Sequence, residues 1–261
     1  MLSLILSYLL TSLEQARWAD PMWGRLLGNL FMLQDFGLGR PGVWVDQYYN
    51  LVFWSLSYEA WFYALFFALV RHHFRAQSLV AITVGVTGFA AHYWMPNQIS
   101  YFALYFLIWW AGAAMATGIR DTGTMNWSTS NYWVSVMVLG ALLWLPALLV
   151  NGFNQGPGLY PLVDIRRFMS GAAILMAATW TVRSWDGLPG AIFRASIGRF
   201  AWLGPYSYAL YISHFPVIHA AAALFPGMPV AVGLPLLTAA ALALAWVLER
   251  RVQPLFNQWL G

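Results

Sequence analysis

The chain has 261 residues, 61% of them hydrophobic and 8% charged, with a formal net charge of +4 and a mean hydropathy of +0.61. Soluble domains carry roughly 25% charged residues, so a water-facing globule is excluded and an integral membrane protein is expected. Without Cys there is no disulfide framework, thiol nucleophile or thiolate metal site, and no basic cluster interleaves with a polar surface as nucleic-acid binding requires.

Eight apolar stretches, each near the ~20 residues a bilayer core needs, predict one all-α domain over residues 1–261, a polytopic transmembrane bundle of about eight helices. The first, Met1 to Leu13, is short. It lacks a basic leader and a small-residue cleavage site, so it reads as a helix without its beginning rather than a signal peptide. Trp23 to Phe36 reads as an interfacial helix, followed by a Gly/Pro turn at Gly37 to Gly42.

The second stretch, Asn50 to Val70, holds Glu59, the one carboxylate deep in an apolar run, ~14 Å down at 1.5 Å per residue. Ser55 and Tyr63 lie one turn either side of it, with Phe62 close by. A charge at mid-membrane costs ~2.5–3.5 kcal/mol on insertion scales, so this face is expected to point into the bundle. Arg71, His72, His73 and Arg75 then form a basic turn. Ser78 to Met95 and Ile99 to Ile119 follow, and the small residues Gly112, Ala113, Ala116 and Gly118 predict close helix packing there.

Asn131 to Val150 is the fifth stretch, residues 151–163 form a turn-rich loop, and Phe168 to Trp185 is the sixth. The seventh, Trp202 to Phe225, carries Ser207, Tyr211 and His214 on one face. Pro216 lacks an N–H and should loosen the helix one turn beyond His214, a break of the kind that lines cavities. Val230 to Leu248 is the eighth. Alternating from the basic turn places eight arginines inside and five outside, with both termini cytoplasmic.

Glu59 and His214 could form a proton-handling pair. Against this, Glu59 could be a structural hydrogen-bonding hub and His214 a satisfied core histidine. His72 and His73 read as interfacial charge, and His92 and His219 as helix-end residues. No metal-ligand spacing or covalent-cofactor signal occurs.

Trp54-Ser-Leu-Ser57-Tyr-Glu59-Ala-Trp-Phe62-Tyr63 resembles the WSLS-x-E-x-x-FY signature of acyltransferase family 3. Leu203-Gly-Pro-Tyr-Ser207-Tyr208-Ala-Leu-Tyr211-Ile-Ser-His214-Phe-Pro216 is similar to that family's LG-x-x-SY-x-LY-x-x-H-x-P segment, and Trp246 to Arg250 with Pro254 to its closing helix. The order and spacing of the three segments match across essentially the whole chain. Ser213 stands where the family often has Trp, and Arg251 where its closing motif has Pro.

The resemblance implies a multi-pass protein of the bacterial cytoplasmic (inner) membrane. It would move an acyl group, often acetyl, from acyl-CoA as co-substrate to a hydroxyl of a carbohydrate or lipid-linked glycan. The resemblance implies no bound cofactor and no nucleic-acid partner. Ser55, Ser57, Glu59, Tyr63, Ser207, Tyr211 and His214 would line the site. Family members usually have ten helices, and these eight match the last eight. The family's catalytic base and its Arg-rich acyl-CoA-holding stretch have no counterpart here, so the base stays unassigned and an N-terminally incomplete transferase is expected. Two other readings are a transporter or flippase, whose mark would be inverted repeats with broken helices, and an inactive family remnant pairing with an intact relative.

Overall fold

The computed structural model describes residues 2–15, 18–35, 44–71, 77–151 and 161–254. The expected turn at Gly37 to Gly42, the basic turn from His72 to Arg75 and most of the 151–163 loop lie outside the described residues. The described chain is helical, and its only β-type pairing is an isolated bridge between Gln34 and Val45.

The helices in order are α1 (Leu2–Glu14), α2 (Trp23–Leu30), α3 (Phe53–Arg71), α4 (Gln77–Trp94), α5 (Gln98–Thr122), α6 (Trp127–Leu142), α7 (Leu145–Asn151) and α8 (Pro161–Arg183). Then come α9 (Leu188–Ala195), a 3₁₀ stretch (Ile197–Tyr206), α10 (Ser207–Leu224), α11 (Val230–Val247) and a π turn (Leu248–Val252). Four segments are long and apolar enough to cross a membrane, namely Phe53–Arg71, Gln98–Thr122, Trp127–Val150 and Val230–Val252. The chain is therefore a membrane protein built from helices.

Local chemistry explains several boundaries. Asn97 caps α5 by accepting from the Ser100 amide while the Asn97 amide donates to the Ser100 hydroxyl, a reciprocal capping box. Gly123 ends α5 at φ 72°, a conformation costly for residues with a Cβ. The expected single helix through Asn131 to Val150 divides at Leu143–Trp144, because Pro146 has no N–H to continue the ladder. The expected helix Trp202 to Phe225 likewise starts only at Ser207, after a 3₁₀ stretch that contains Pro205.

The chain forms two compact units, whose boundary falls within α3 between Ser57 and Tyr58. One unit contains α1, α2, residues 44–57 and the chain from Arg199 onward. Its core joins Leu4, Tyr48, Phe53 and Leu56, with Tyr8, Leu26 and Ile212 packed against them. Burial, then the neighbouring Tyr49, Tyr8 and Asp20, push the Tyr48 phenol above its ordinary pKa.

The other unit runs from Tyr58 to Gly198. Here α4 packs along α5, and α6 along α8. The contact between α4 and α5 passes through Gly85 and Gly88, not through the small residues singled out on α5. A Cβ at Gly88 would lie 2.6 Å from the Ala103 Cβ and 2.7 Å from the Leu104 backbone nitrogen, whereas one at Gly112 or Gly118 would meet nothing within 4 Å. The reason is rotational: Leu104, Leu107 and Ala111 form the buried side of α5, and Gly112 and Gly118 fall off it. Gly88→Val is expected to destabilise this unit by about 1–3 kcal/mol through overpacking against backbone that cannot yield. Chemical unfolding in detergent, followed by Trp fluorescence, measures it.

A polar cluster lies inside the same unit. Asp164 is 0% exposed, and its Oδ1 accepts from the Tyr101 hydroxyl at 3.0 Å and from the Tyr105 hydroxyl. Arg167 donates to the Tyr105 oxygen at 2.8 Å and lies 3.7 Å from the same Asp164 oxygen. Buried His92 stacks edge-on against Tyr101, with Nδ1 3.0 Å from the Ser100 hydroxyl. Three helices, α4, α5 and α8, are thereby joined through a mostly buried set of polar groups. Near the other end of α8, the Thr179 and Ser130 hydroxyls pair, joining α8 to α6.

Candidate active site

In the unit containing α10, the two longest sequence motifs come together. The Ser55 hydroxyl of α3 and the Tyr211 hydroxyl of α10 are 2.5 Å apart, although 156 residues separate them in sequence. Both are also in reach of the Val52 carbonyl, at 3.2 Å from Ser55 and 3.3 Å from Tyr211. With one acceptor and two hydroxyls, one hydroxyl donates to the carbonyl and the other donates to its partner.

Asn50, which the sequence reading passed over, supplies a second tie. Pro216 has no N–H, so the carbonyl one turn earlier, that of Ile212, loses its helical donor. The Asn50 side-chain amide donates to that oxygen at 3.2 Å. The break expected at Pro216 is thus satisfied from α3's leading turn, and α10 runs on to Leu224. A polar residue just ahead of a helix, paired with a proline inside another, was the signal available in the sequence.

Ser207, Tyr211 and His214 line one cavity of about 720 Å³ between α10 and α11, as their spacing implied. The facing wall includes Leu237, Thr238 and Ala241. The His214 Nδ1 lies 2.7 Å from the Tyr211 carbonyl oxygen. A carbonyl only accepts, so Nδ1 carries the hydrogen and Nε2 is left facing away from that bond. The Ser207 hydroxyl donates back to the Gly204 carbonyl at 2.8 Å. Arg250, of the closing motif, donates to the Tyr206 hydroxyl at 3.2 Å and so anchors the turn that leads into α10.

The remaining α3 candidates are placed differently. Ser57 is fully buried and donates to the Trp54 carbonyl at 2.7 Å, so it acts on the helix backbone. Glu59 is exposed, not turned into the packed interior, and with α3 beginning at Phe53 it sits only six residues along the helix. Tyr63 is 51% exposed, its ring edge-on to Trp109 at 5.5 Å. In this stretch of α3 the buried residues are Tyr58 and Phe62, which meet Phe102 and Phe106 of α5. Among the described residues no group of three His, Cys, Asp or Glu side chains could hold a metal ion.

The sequence pattern of acyltransferase family 3, described as an acyltransferase domain, matches residues 2–250. The chain belongs to acyltransferase family 3. No curated protein and no solved structure matches it. As a family member it is a membrane acyltransferase, and its match spans the Trp54 to Tyr63 motif, the Leu203 to Pro216 motif and the start of the closing segment.

Proposed function

We propose that this acyltransferase moves an acyl group, acetyl included, from acyl-CoA to a hydroxyl of a carbohydrate or lipid-linked glycan. It would work as a multi-pass protein of the inner membrane with both termini in the cytoplasm. The observation that carries this reading is the joining of the two family motifs through Ser55 and Tyr211 at the cavity that Ser207 and His214 also line. In the reaction the acceptor oxygen bonds to the acyl carbon, the carbon–sulfur bond breaks, and the hydroxyl proton leaves as the thiolate departs to become free CoA. The Ser55–Tyr211 pair fixes the wall against which the reacting groups are held, and orientation of that kind governs rate. Glu59 supplies a carboxylate one turn after Ser55 on the same helix face.

The test is transfer from labelled acyl-CoA to a sugar acceptor by the full chain in proteoliposomes. Ser55→Ala and Tyr211→Phe should each lower turnover about 10- to 100-fold, as misplacement of reacting groups does, while membrane abundance holds. Undiminished transfer by both variants would overturn the role given to this contact. Proton-coupled uptake of acceptor without acyl-CoA would favour a transporter instead.

A further inference from the structure

The cavity that holds Ser207, Tyr211 and His214 does not end at those residues. A second cavity of about 370 Å³ continues along the same helix pair, sharing Ile218, Leu234 and Leu237 with the first. It reaches Ala222 and the turn around Met228, and no polar side chain lines it. Ala222 lies eight residues past His214, about 12 Å along the helix axis at 1.5 Å per residue. Together the two spaces form a cleft with polar groups at one end and hydrocarbon walls along the rest.

We infer that this cleft receives the hydrocarbon chain of the acyl donor and accepts medium-length acyl groups well beyond acetyl. The inference rests on the acyl-transfer reading for the identity of the donor. The polarity argues for a chain and against a sugar. Each ring hydroxyl of a glycan needs a hydrogen-bond partner once it leaves water. Here Ser207 is engaged with the Gly204 carbonyl, Thr238 with the Leu234 carbonyl at 2.8 Å, and Tyr211 with Ser55. That leaves Nε2 of His214 as the main polar feature, enough for one reacting group and too little for a saccharide. A thioester carbonyl beside His214, its alkyl tail lying over Ile218, Leu234 and Leu237, meets these surfaces without stranding a polar group.

Octanoyl-CoA with a terminal diazirine, photolysed with the full chain in nanodiscs, tests the inference by mass mapping of the labelled peptides. Labels are expected on the segments that hold Ile218, Leu234 and Leu237. Each buried methylene strengthens binding about fourfold, so, with six methylenes more, unlabelled octanoyl-CoA should displace the probe at a concentration on the order of 1000-fold or more below that of acetyl-CoA. Leu237→Trp, which fills the space shared by the two cavities, should cut this labelling several-fold. Labelling confined to other helices, or equal displacement by acetyl-CoA, would overturn the inference. So would labelling that octanoyl-CoA does not displace, because an ordinary bilayer lipid would then be the occupant. Transfer to a sugar hydroxyl, assayed on the same samples, judges the catalytic reading separately. Displaceable labelling without transfer keeps the chain site and sinks the transferase role; acetyl transfer without labelling of the cleft does the reverse.

Discussion

Asp164→Ala should destabilise the unit built from α4, α5, α6 and α8 by about 3–5 kcal/mol, the cost of removing one partner from a buried charged network. The carboxylate is fully buried and gathers the Tyr101 and Tyr105 hydroxyls on one oxygen, with Arg167 close behind. Alanine leaves two phenols and a guanidinium without that acceptor. Asp164→Asn keeps a carbonyl oxygen for the tyrosines and loses only the charge, so it should cost markedly less. Unfolding in detergent at several denaturant concentrations separates the two variants. Equal, small effects of both would mean that packing alone holds the three helices and that the cluster is incidental. The comparison with Gly88→Val is useful because that change tests van der Waals fit between α4 and α5 without touching a polar group.

His214→Ala should lower acyl transfer by at least roughly 100-fold, the lower bound of what a positioned proton-handling group contributes, with little loss of stability. The ring is only partly buried and its hydrogen bond runs to its own helix, so removing it breaks no hydrogen bond between helices. What it removes is the ring nitrogen Nε2, which the bond from Nδ1 to the Tyr211 carbonyl leaves unused in the cavity. His214→Gln presents an amide of comparable reach but cannot take up a proton at neutral pH. If Gln restores transfer, the side chain acts by hydrogen bonding; if it fails as Ala does, proton handling is the role. Transfer at the native rate by both variants would remove His214 from the site altogether.

Composition and motif spacing, read without coordinates, determine that this is a helical membrane protein of acyltransferase family 3. So few charges leave no polar coat, and helical periodicity already placed Ser207, Tyr211 and His214 on one face. These are local properties, set by 3.6 residues per turn and by the chemistry of each side chain. Tertiary structure decided everything that depends on which face meets which neighbour. Glu59 was expected to turn inward because a buried charge needs a partner, yet the aromatic rows of α5 take up Tyr58 and Phe62 of α3 and leave Glu59 exposed. The small residues of α5 looked like a packing stripe, but the close approach is made by Gly88 of α4, since a stripe matters only where another helix arrives. Asp164 sat at the edge of a stretch read as a loop, and only the folded chain brings Tyr101 and Tyr105 onto it. The meeting of Ser55 with Tyr211, and of Asn50 with the carbonyl that Pro216 sets free, joins residues more than 150 positions apart. No periodicity encodes such contacts, because they arise only when separate helices compete to bury the same apolar surface.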